Sequence, residues 1–175
     1  MIKCICMFKF FFTERLKMDS INLLFVKLNQ NDDKISTVYE IIKSCGEDMY
    51  ENHGLLHWKT PYPIESIKKD CIEREVYLAF KGEAPVATFM LSKNEKGVML
   101  SKLAVSPKCS GQGIGSKCLK FAENRCIEQG IYNLHFDVCT QSKSAINFYI
   151  KNGYEIYGEA PTRHFRVLLM EKNLK

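Results

Sequence analysis

The sequence predicts a single α/β domain with a mixed, mostly antiparallel sheet of about seven strands and about four helices. Three observations indicate this class. A length of 175 residues with 46% hydrophobic content is enough for one substantial core. Strand-like and helix-like segments follow the order β-α-α-β-β-β-α-β-α-β-β, with no repeat or linker. The helix between the fourth and fifth strands requires a parallel pair, whereas short turns favour antiparallel neighbours elsewhere.

The strands are predicted from short runs rich in Val, Ile, Leu and aromatic residues, separated by polar or glycine-containing turns. The second, third and fourth are joined by turns short enough for an antiparallel meander. The expected strands cover residues 20–28, 75–80, 86–91, 98–105, 132–138, 154–157 and 165–170.

The helices are predicted from apolar residues that recur three or four positions apart. Asp32 and Asp33 offer an N-cap for the first helix, and Gly130 ends the third. The expected helices cover residues 33–51, 64–73, 113–129 and 142–151. The third should bury one stripe of side chains, namely Ile114, Cys118, Leu119, Ala122 and Cys126.

Charge and cysteine content argue against two classes of function. The net charge is +5, but residues 1–17 hold four basic groups and one acidic group, so the remaining chain is close to neutral. No long basic run remains, which excludes a typical nucleic-acid binder. The eight cysteines form no Cys-x-x-Cys pair, and no histidine stands near them at zinc-ligand spacing. We therefore expect no metal, free thiols and a reducing, cytoplasmic location.

Residues 1–17 are expected to be a loosely attached tail, or an extension from a start placed ahead of Met18. The apolar part is interrupted by Lys3 and Lys9 and is too short to span a bilayer. No small-residue cleavage site follows it, as a signal peptide requires. The domain is accordingly expected to cover residues 18–175, with no membrane span.

A glycine-dense turn follows the predicted fourth strand and carries the clearest chemical signal. Gly111, Gly113 and Gly115 leave several backbone N–H groups uncovered at the start of a helix, which is a binding site for anionic oxygen. A Walker A loop is excluded because Ser116 precedes Lys117 rather than following a lysine. A dinucleotide fingerprint is excluded because its third glycine would fall on Ser116.

Two motifs resemble those of the GNAT superfamily of N-acetyltransferases. Residues 110–115 are similar to its acyl-CoA motif, Gln/Arg-x-x-Gly-x-Gly/Ala, with Ser110 in place of the usual first residue. Residues 142–154 are similar to its C-terminal signature, Asn-x-x-Ala-x-x-Phe-Tyr-x-x-x-Gly-Phe/Tyr, with Ser142 in place of Asn. The matching positions there are Ala145, Phe148, Tyr149, Gly153 and Tyr154.

The resemblance implies transfer of an acetyl group from acetyl-CoA to a primary amine, in a gap where the fourth and fifth strands separate. The implied general acid is Tyr149, which would protonate the leaving thiolate. The implied acetyl-CoA contacts are the strand edge at Leu103, Ala104 and Val105, the loop from Ser110 through Gly111, Gln112, Gly113, Ile114 and Gly115 to Ser116, and the hydroxyl of Ser142. A small-molecule amine is the expected partner, and the resemblance also allows a homodimer.

The sequence leaves the general base and the acceptor open. Many members of the superfamily use a Glu on the fourth strand, but this chain has Ser101 and Lys102 there and no acid in 98–105. His135, Asp137 or a chain of waters could remove the amine's proton. The candidates for acceptor recognition are the ring residues His53, His57, Trp58 and Tyr62 and the acids Glu47, Asp48 and Glu51, the acids by attracting a cationic amine.

Three alternatives stay open at the level of sequence. A non-catalytic acyl-CoA sensor would keep the glycine loop without needing Tyr149. A protein N-acetyltransferase subunit would use the same motifs on a peptide. Acyl transfer through a nucleophilic Cys139, near the end of the fifth strand, is the weakest because no histidine is recognisably paired with it.

Overall fold

The computed structural model describes residues 21–175, so the predicted N-terminal tail lies outside the described residues. The strands are β1 Leu24–Leu28, β2 Glu75–Lys81, β3 Ala84–Asn94, β4 Gly97–Val105, β5 Asn133–Cys139, β6 Glu155–Pro161 and β7 Arg166–Asn173. The helices are α1 Ile35–His53, α2 Ile64–Glu73, α3 Ile114–Glu128 and α4 Lys143–Lys151. Short 3₁₀ turns cover Leu56–Trp58 and Pro107–Cys109.

The seven strands form one sheet in the order β1-β2-β3-β4-β5-β7-β6. The pair β4–β5 is parallel, and the other neighbouring pairs are antiparallel. The predicted fold class, element order and parallel pair are therefore confirmed.

The start of α1 differs from the prediction. The aspartates expected to cap this helix lie in the preceding turn, where an Asp32 carboxylate oxygen accepts a hydrogen bond from the Lys34 backbone N–H at 3.0 Å. Lys34 is the N-cap residue, and its side chain makes no capping hydrogen bond. The competing local turn, in which an aspartate bonds the amide two residues on, displaces the helix start by two residues.

Helices cover both faces of the sheet. On one face, α1 and α2 bury a set of aliphatic side chains against β2 and β3, including Val38, Ile42, Ile67, Val76, Leu78 and Met90. On the other face, α3 packs its predicted stripe against β3, β4 and β5, and Ile146 of α4 joins this core. All five stripe residues are at most 1% exposed, so this prediction is confirmed.

The strands β4 and β5 separate soon after they begin. Their register contains only Val98 opposite Leu134 and Met99 opposite His135. Further along β4, Lys102 and Leu103 form a bulge opposite β3, and Lys102 has a φ of 52°, the one positive value at a non-glycine position within residues 21–175. The gap between the two strands therefore opens beyond Met99, and the bulge turns side chains towards the face covered by α1 and α2.

A partly buried ion pair between Glu75 of β2 and Arg125 of α3 predicts that the stability of the fold depends on pH. The Arg125 guanidinium, with smaller contributions from Lys27 and Tyr77, lowers the pKa of Glu75 from 4.5 to about 2. A carboxylate with a depressed folded-state pKa stabilises the fold above pH 4.5, and the contribution is lost as pH falls towards 2. Replacing Arg125 with Met should therefore destabilise the protein most at pH 7 and progressively less below pH 4.5.

Urea unfolding of wild type and variant at pH 7, 5, 4 and 3 measures this convergence. Lys27→Met, which removes the half-exposed second cation on the same carboxylate, is the matched control and should show a smaller effect. A difference in unfolding free energy that stays constant from pH 7 to pH 3 would contradict the assignment.

Candidate active site

The glycine loop lies where β4 leads into α3. Gly111 and Gly113 have φ values of 73° and 76°, and Gly113 is the N-cap of α3. Within residues 21–175, no backbone N–H from 111 to 116 has a hydrogen-bond acceptor, and the first such bond of the helix joins Lys117 to Gly113. These amides form the uncovered, partly positive helix terminus that the sequence predicts.

The third glycine of the loop has a different function. A Cβ built on Gly115 would lie 3.0 Å from the Phe148 ring and 3.8 Å from a Val105 methyl group. The first turn of α3 therefore packs tightly against α4 and the end of β4, which places the free amides beside the open edge of β4.

The open edge of β4 carries the three predicted residues Leu103, Ala104 and Val105. The Ser106 N–H donates to the Val86 carbonyl on the β3 side at 2.9 Å. Because donor direction alternates along a strand, the N–H groups of Leu103 and Val105 point towards β5. No strand residue of β5 is paired with them in the part of the chain that the structure describes. This edge is available to an amide-containing ligand that adds as an extra strand.

Tyr149 projects from α4 into the gap, where its ring packs with those of Phe136 and Phe148 to form an aromatic wall. Its ring centroid lies 4.1 Å from that of Phe136 and 5.1 Å from that of Phe148. Burial raises the pKa of its hydroxyl well above the usual range, and the neighbouring Cys45 thiol and Asp137 carboxyl add to the effect. The hydroxyl is therefore protonated at neutral pH and makes no hydrogen bond to any residue in 21–175.

Cys45 of α1 is a member of the site that sequence reasoning missed. Burial raises the pKa of its thiol, while contact with the Val105 backbone lowers it. The sequence indicates only that Cys45 belongs to the apolar stripe of α1, since its position over β4 depends on how helix and sheet pack.

Ser142 is the N-cap residue of α4, at the end where β4 and β5 are furthest apart. The residue is 7% exposed, and its carbonyl accepts the hydrogen bond from the Ile146 N–H at 3.0 Å. Its hydroxyl makes no capping bond. Ser110, by contrast, is exposed in the loop, and the Gln112 side chain is held by Lys81 at 3.1 Å.

The two candidate bases on β5 lie in different surroundings. His135 lies where β4 and β5 still pair, and its Nε2 lies 3.1 Å from the Asn94 side-chain oxygen. Burial and the nearby Lys96 lower the pKa of His135, which keeps the ring neutral. Asp137 is exposed and lies two residues further along, where the strands have separated.

A cluster of charged side chains lies on the α2 side of the gap. The buried Asp70 carboxylate accepts a hydrogen bond from the Tyr62 hydroxyl at 2.7 Å and pairs with the Arg74 Nε at 3.1 Å. The Arg74 guanidinium also lies 3.4 Å from the Ser101 hydroxyl. The Lys102 ammonium lies 4.3 Å from the centre of the Tyr62 ring. Of these residues, the sequence indicates Tyr62 alone as a candidate for acceptor recognition.

The other candidates for acceptor recognition lie elsewhere on α1 and the loop that follows. Trp58 packs against Gly46, where an added Cβ would lie 3.3 Å from the ring. The Glu47 carboxylate lies 4.0 Å from Lys43, and Asp48 accepts a hydrogen bond from Asn52 at 2.7 Å. Glu51 is exposed on the same helix.

Two features are absent from residues 21–175. No group of three His, Cys, Asp or Glu side chains is arranged to hold a metal ion there. Across the same span, the helices are too short or too polar to cross a bilayer.

The chain is similar to known proteins in sequence and in fold. The model of the Acetyltransferase (GNAT) family matches residues 35–154, which contain the glycine loop, the β4 edge and Tyr149. The fold is similar to that of the PaiA N-acetyltransferase of Thermoplasma acidophilum in complex with coenzyme A, at 20% identity and a TM-score of 0.71 over 87% of this chain and 99% of that one.

Two further solved structures share the fold. One is the ribosomal-protein-S18-alanine N-acetyltransferase of Escherichia coli, at 15% identity and a TM-score of 0.69 over 87% of this chain and 94% of the other. The second is Ard1 of Thermoplasma volcanium, at 20% identity and a TM-score of 0.70 over 86% and 97% of the two chains.

Proposed function

The chain belongs to the Acetyltransferase (GNAT) family, and on that premise we propose that it transfers an acetyl group from acetyl-CoA to the primary amine of a small molecule. One observation carries the proposal. The glycine-loop amides, which have no acceptor within residues 21–175, adjoin the open edge of β4, and Tyr149 packs against Phe136 of β5 across the same gap.

The residues that line this gap fit the chemistry of acetyl-CoA. Backbone N–H groups of residues 111–116 suit a diphosphate, since none has an acceptor within residues 21–175 and they stand at a helix N-terminus. The edge at Leu103, Ala104 and Val105 suits the amide-rich pantetheine arm. Ser110 and Ser142 flank these two sites and supply hydroxyl groups to the phosphates and to the arm.

The proposed reaction is direct attack of the amine on the thioester carbonyl. Negative charge that develops on the carbonyl oxygen is stabilised by a backbone N–H of the β4 edge. Breakdown of the tetrahedral species expels a thiolate, which takes the proton of the Tyr149 hydroxyl. The acceptor nitrogen gives up one proton to solvent, and the Tyr149 phenolate regains one from solvent, so the products are the amide and the free thiol of coenzyme A. Burial keeps that proton on Tyr149 until a stronger base than water appears beside it.

Thiol release from acetyl-CoA, measured against a panel of primary amines, tests the proposal. We expect release that depends on the amine and yields one N-acetylated product per thiol. Calorimetry with coenzyme A on the same protein should show binding. Binding of coenzyme A without amine-dependent thiol release would support a non-catalytic sensor instead, and absence of binding would refute the proposed site.

A further inference from the structure

We infer that the acceptor is a small molecule whose primary amine has a carboxylate beside it, as in an amino acid, with Lys102 binding the carboxylate and Asp137 facing the ammonium group. This inference rests on the proposed function and names its substrate class. It comes from two opposite charges that the fold holds apart on the two sides of the gap.

Lys102 is a partly buried cation with no carboxylate partner among residues 21–175. The bulge of β4 turns its side chain towards α2, where the ammonium lies 4.3 Å from the centre of the Tyr62 ring. The side chain is partly buried, and burial lowers its pKa. No carboxylate of residues 21–175 comes within 4.0 Å of the ammonium, so an anion from outside the protein would be strongly favoured beside it.

The surrounding charges are already matched with one another. The Asp70 carboxylate is held by Arg74 at 3.1 Å and by the Tyr62 hydroxyl at 2.7 Å. Burial and the bond to Asp70 raise the pKa of Tyr62 to about 12, which keeps the tyrosine a donor and its ring in place. Asp70 therefore holds the Tyr62 ring under the Lys102 ammonium, but its carboxylate does not form an ion pair with Lys102.

Asp137 supplies the opposite charge on β5. It is exposed and lies two residues beyond His135, where β5 has separated from β4, and it forms no ion pair within residues 21–175. Its carboxyl raises the pKa of both Lys102 and Tyr149. A ligand that carries an ammonium and a carboxylate on neighbouring atoms would satisfy both charges at once. It would also hold its nitrogen on the side of the gap where Tyr149 lies.

The same arrangement disfavours an acceptor with two cationic groups. Its second ammonium would meet Lys102, and like charges at a partly dehydrated site repel. The sequence also offers three acids of α1 for attracting a cation, namely Glu47, Asp48 and Glu51. Glu47 and Asp48 interact with neighbours on α1, and Glu51 is exposed to solvent.

Matched sets of acceptors test the inference on the full-length protein. We would measure kcat/KM by thiol release for the primary-amine amino acids other than cysteine, their carboxamides, and putrescine. The best amino acid should exceed its own carboxamide by about tenfold or more, as expected for one charge-assisted hydrogen bond. Lys102→Met should remove that preference, lowering kcat/KM for the acid and leaving the carboxamide nearly unchanged.

The controls separate recognition from folding and from base catalysis. Lys102→Arg should keep most of the preference, and Lys93→Met, at an exposed site on β3, should keep all of it. Equal losses for acid and carboxamide in Lys102→Met would overturn the inference, because a general base or a structural residue would act on both. Equal or better turnover of carboxamides or putrescine by the wild type would overturn it as well, with the proposed acetyltransferase function intact.

The equilibrium affinity for amino acids tests the same inference without measuring turnover. Amino acid binding to the protein saturated with coenzyme A, measured by calorimetry, should weaken about tenfold in Lys102→Met. If no amino acid binds to the saturated wild-type protein, the inference is wrong. Failure of coenzyme A itself to bind would instead refute the proposed function.

Discussion

Replacing Tyr149 with Phe is expected to lower kcat about 100-fold, at the lower end of the range for loss of a general acid. The thiolate leaving group would then have to take its proton from water in a gap that the aromatic wall shields. The affinity for acetyl-CoA should change by less than about twofold, because the ring and its contacts with Phe136 and Phe148 remain. Steady-state thiol release and calorimetry measure the two quantities separately.

The fold should tolerate this change well. The Tyr149 hydroxyl makes no hydrogen bond to residues 21–175, so its removal leaves no buried partner unsatisfied. Tyr132→Phe, at an exposed position before β5, is the matched control and should leave kcat unchanged. A Tyr149→Phe enzyme with wild-type kcat would show that the tyrosine only packs beside Phe148, and the proton must then come from elsewhere.

Local signals account for most of what the sequence predicts correctly. Helical spacing of apolar residues gives α3 and its buried stripe, and the bounds of α2 agree at both ends. The glycine loop is equally local, since positive φ values and free amides depend on residues next to one another. The start of α1 is missed because a short-range aspartate turn and a helix cap use the same residue types.

Non-local packing accounts for what the sequence does not reveal. In the sequence, Lys102 is indistinguishable from any lysine of a strand. Its position in the structure depends on the bulge of β4 and on contact with the Tyr62 ring. Cys45 reads as one apolar residue of a helix, and its contact with Val105 depends on how α1 crosses β4. Asp137 and Lys102 are 35 positions apart along the chain. They face each other across the gap because the parallel strands β4 and β5 separate, and the spacing of apolar residues in the sequence does not predict that separation.

Replacing Gly113 with Val is expected to weaken acetyl-CoA binding by about 100-fold or more, the equivalent of losing two hydrogen bonds to a charged group. The φ of 76° is unfavourable for a β-branched residue by about 1–2 kcal/mol, which would distort the amides. The side chain would also stand where the phosphates must approach. A Cβ on Gly113 meets no atom of residues 21–175 within 4 Å, so this part of the protein does not resist the change sterically.

Gly130 provides a closely matched control for the effect of strain alone. Its φ is 70°, a Cβ built on it also meets nothing within 4 Å in the described part of the chain, and it lies just past the opposite end of α3. Gly130→Val should therefore lower the thermal midpoint about as much as Gly113→Val while leaving the calorimetric Kd for acetyl-CoA unchanged. Gly113→Asn separates strain from obstruction, because asparagine tolerates positive φ but still carries a side chain. If Gly113→Val bound acetyl-CoA as tightly as the wild type, the diphosphate could not lie on these amides.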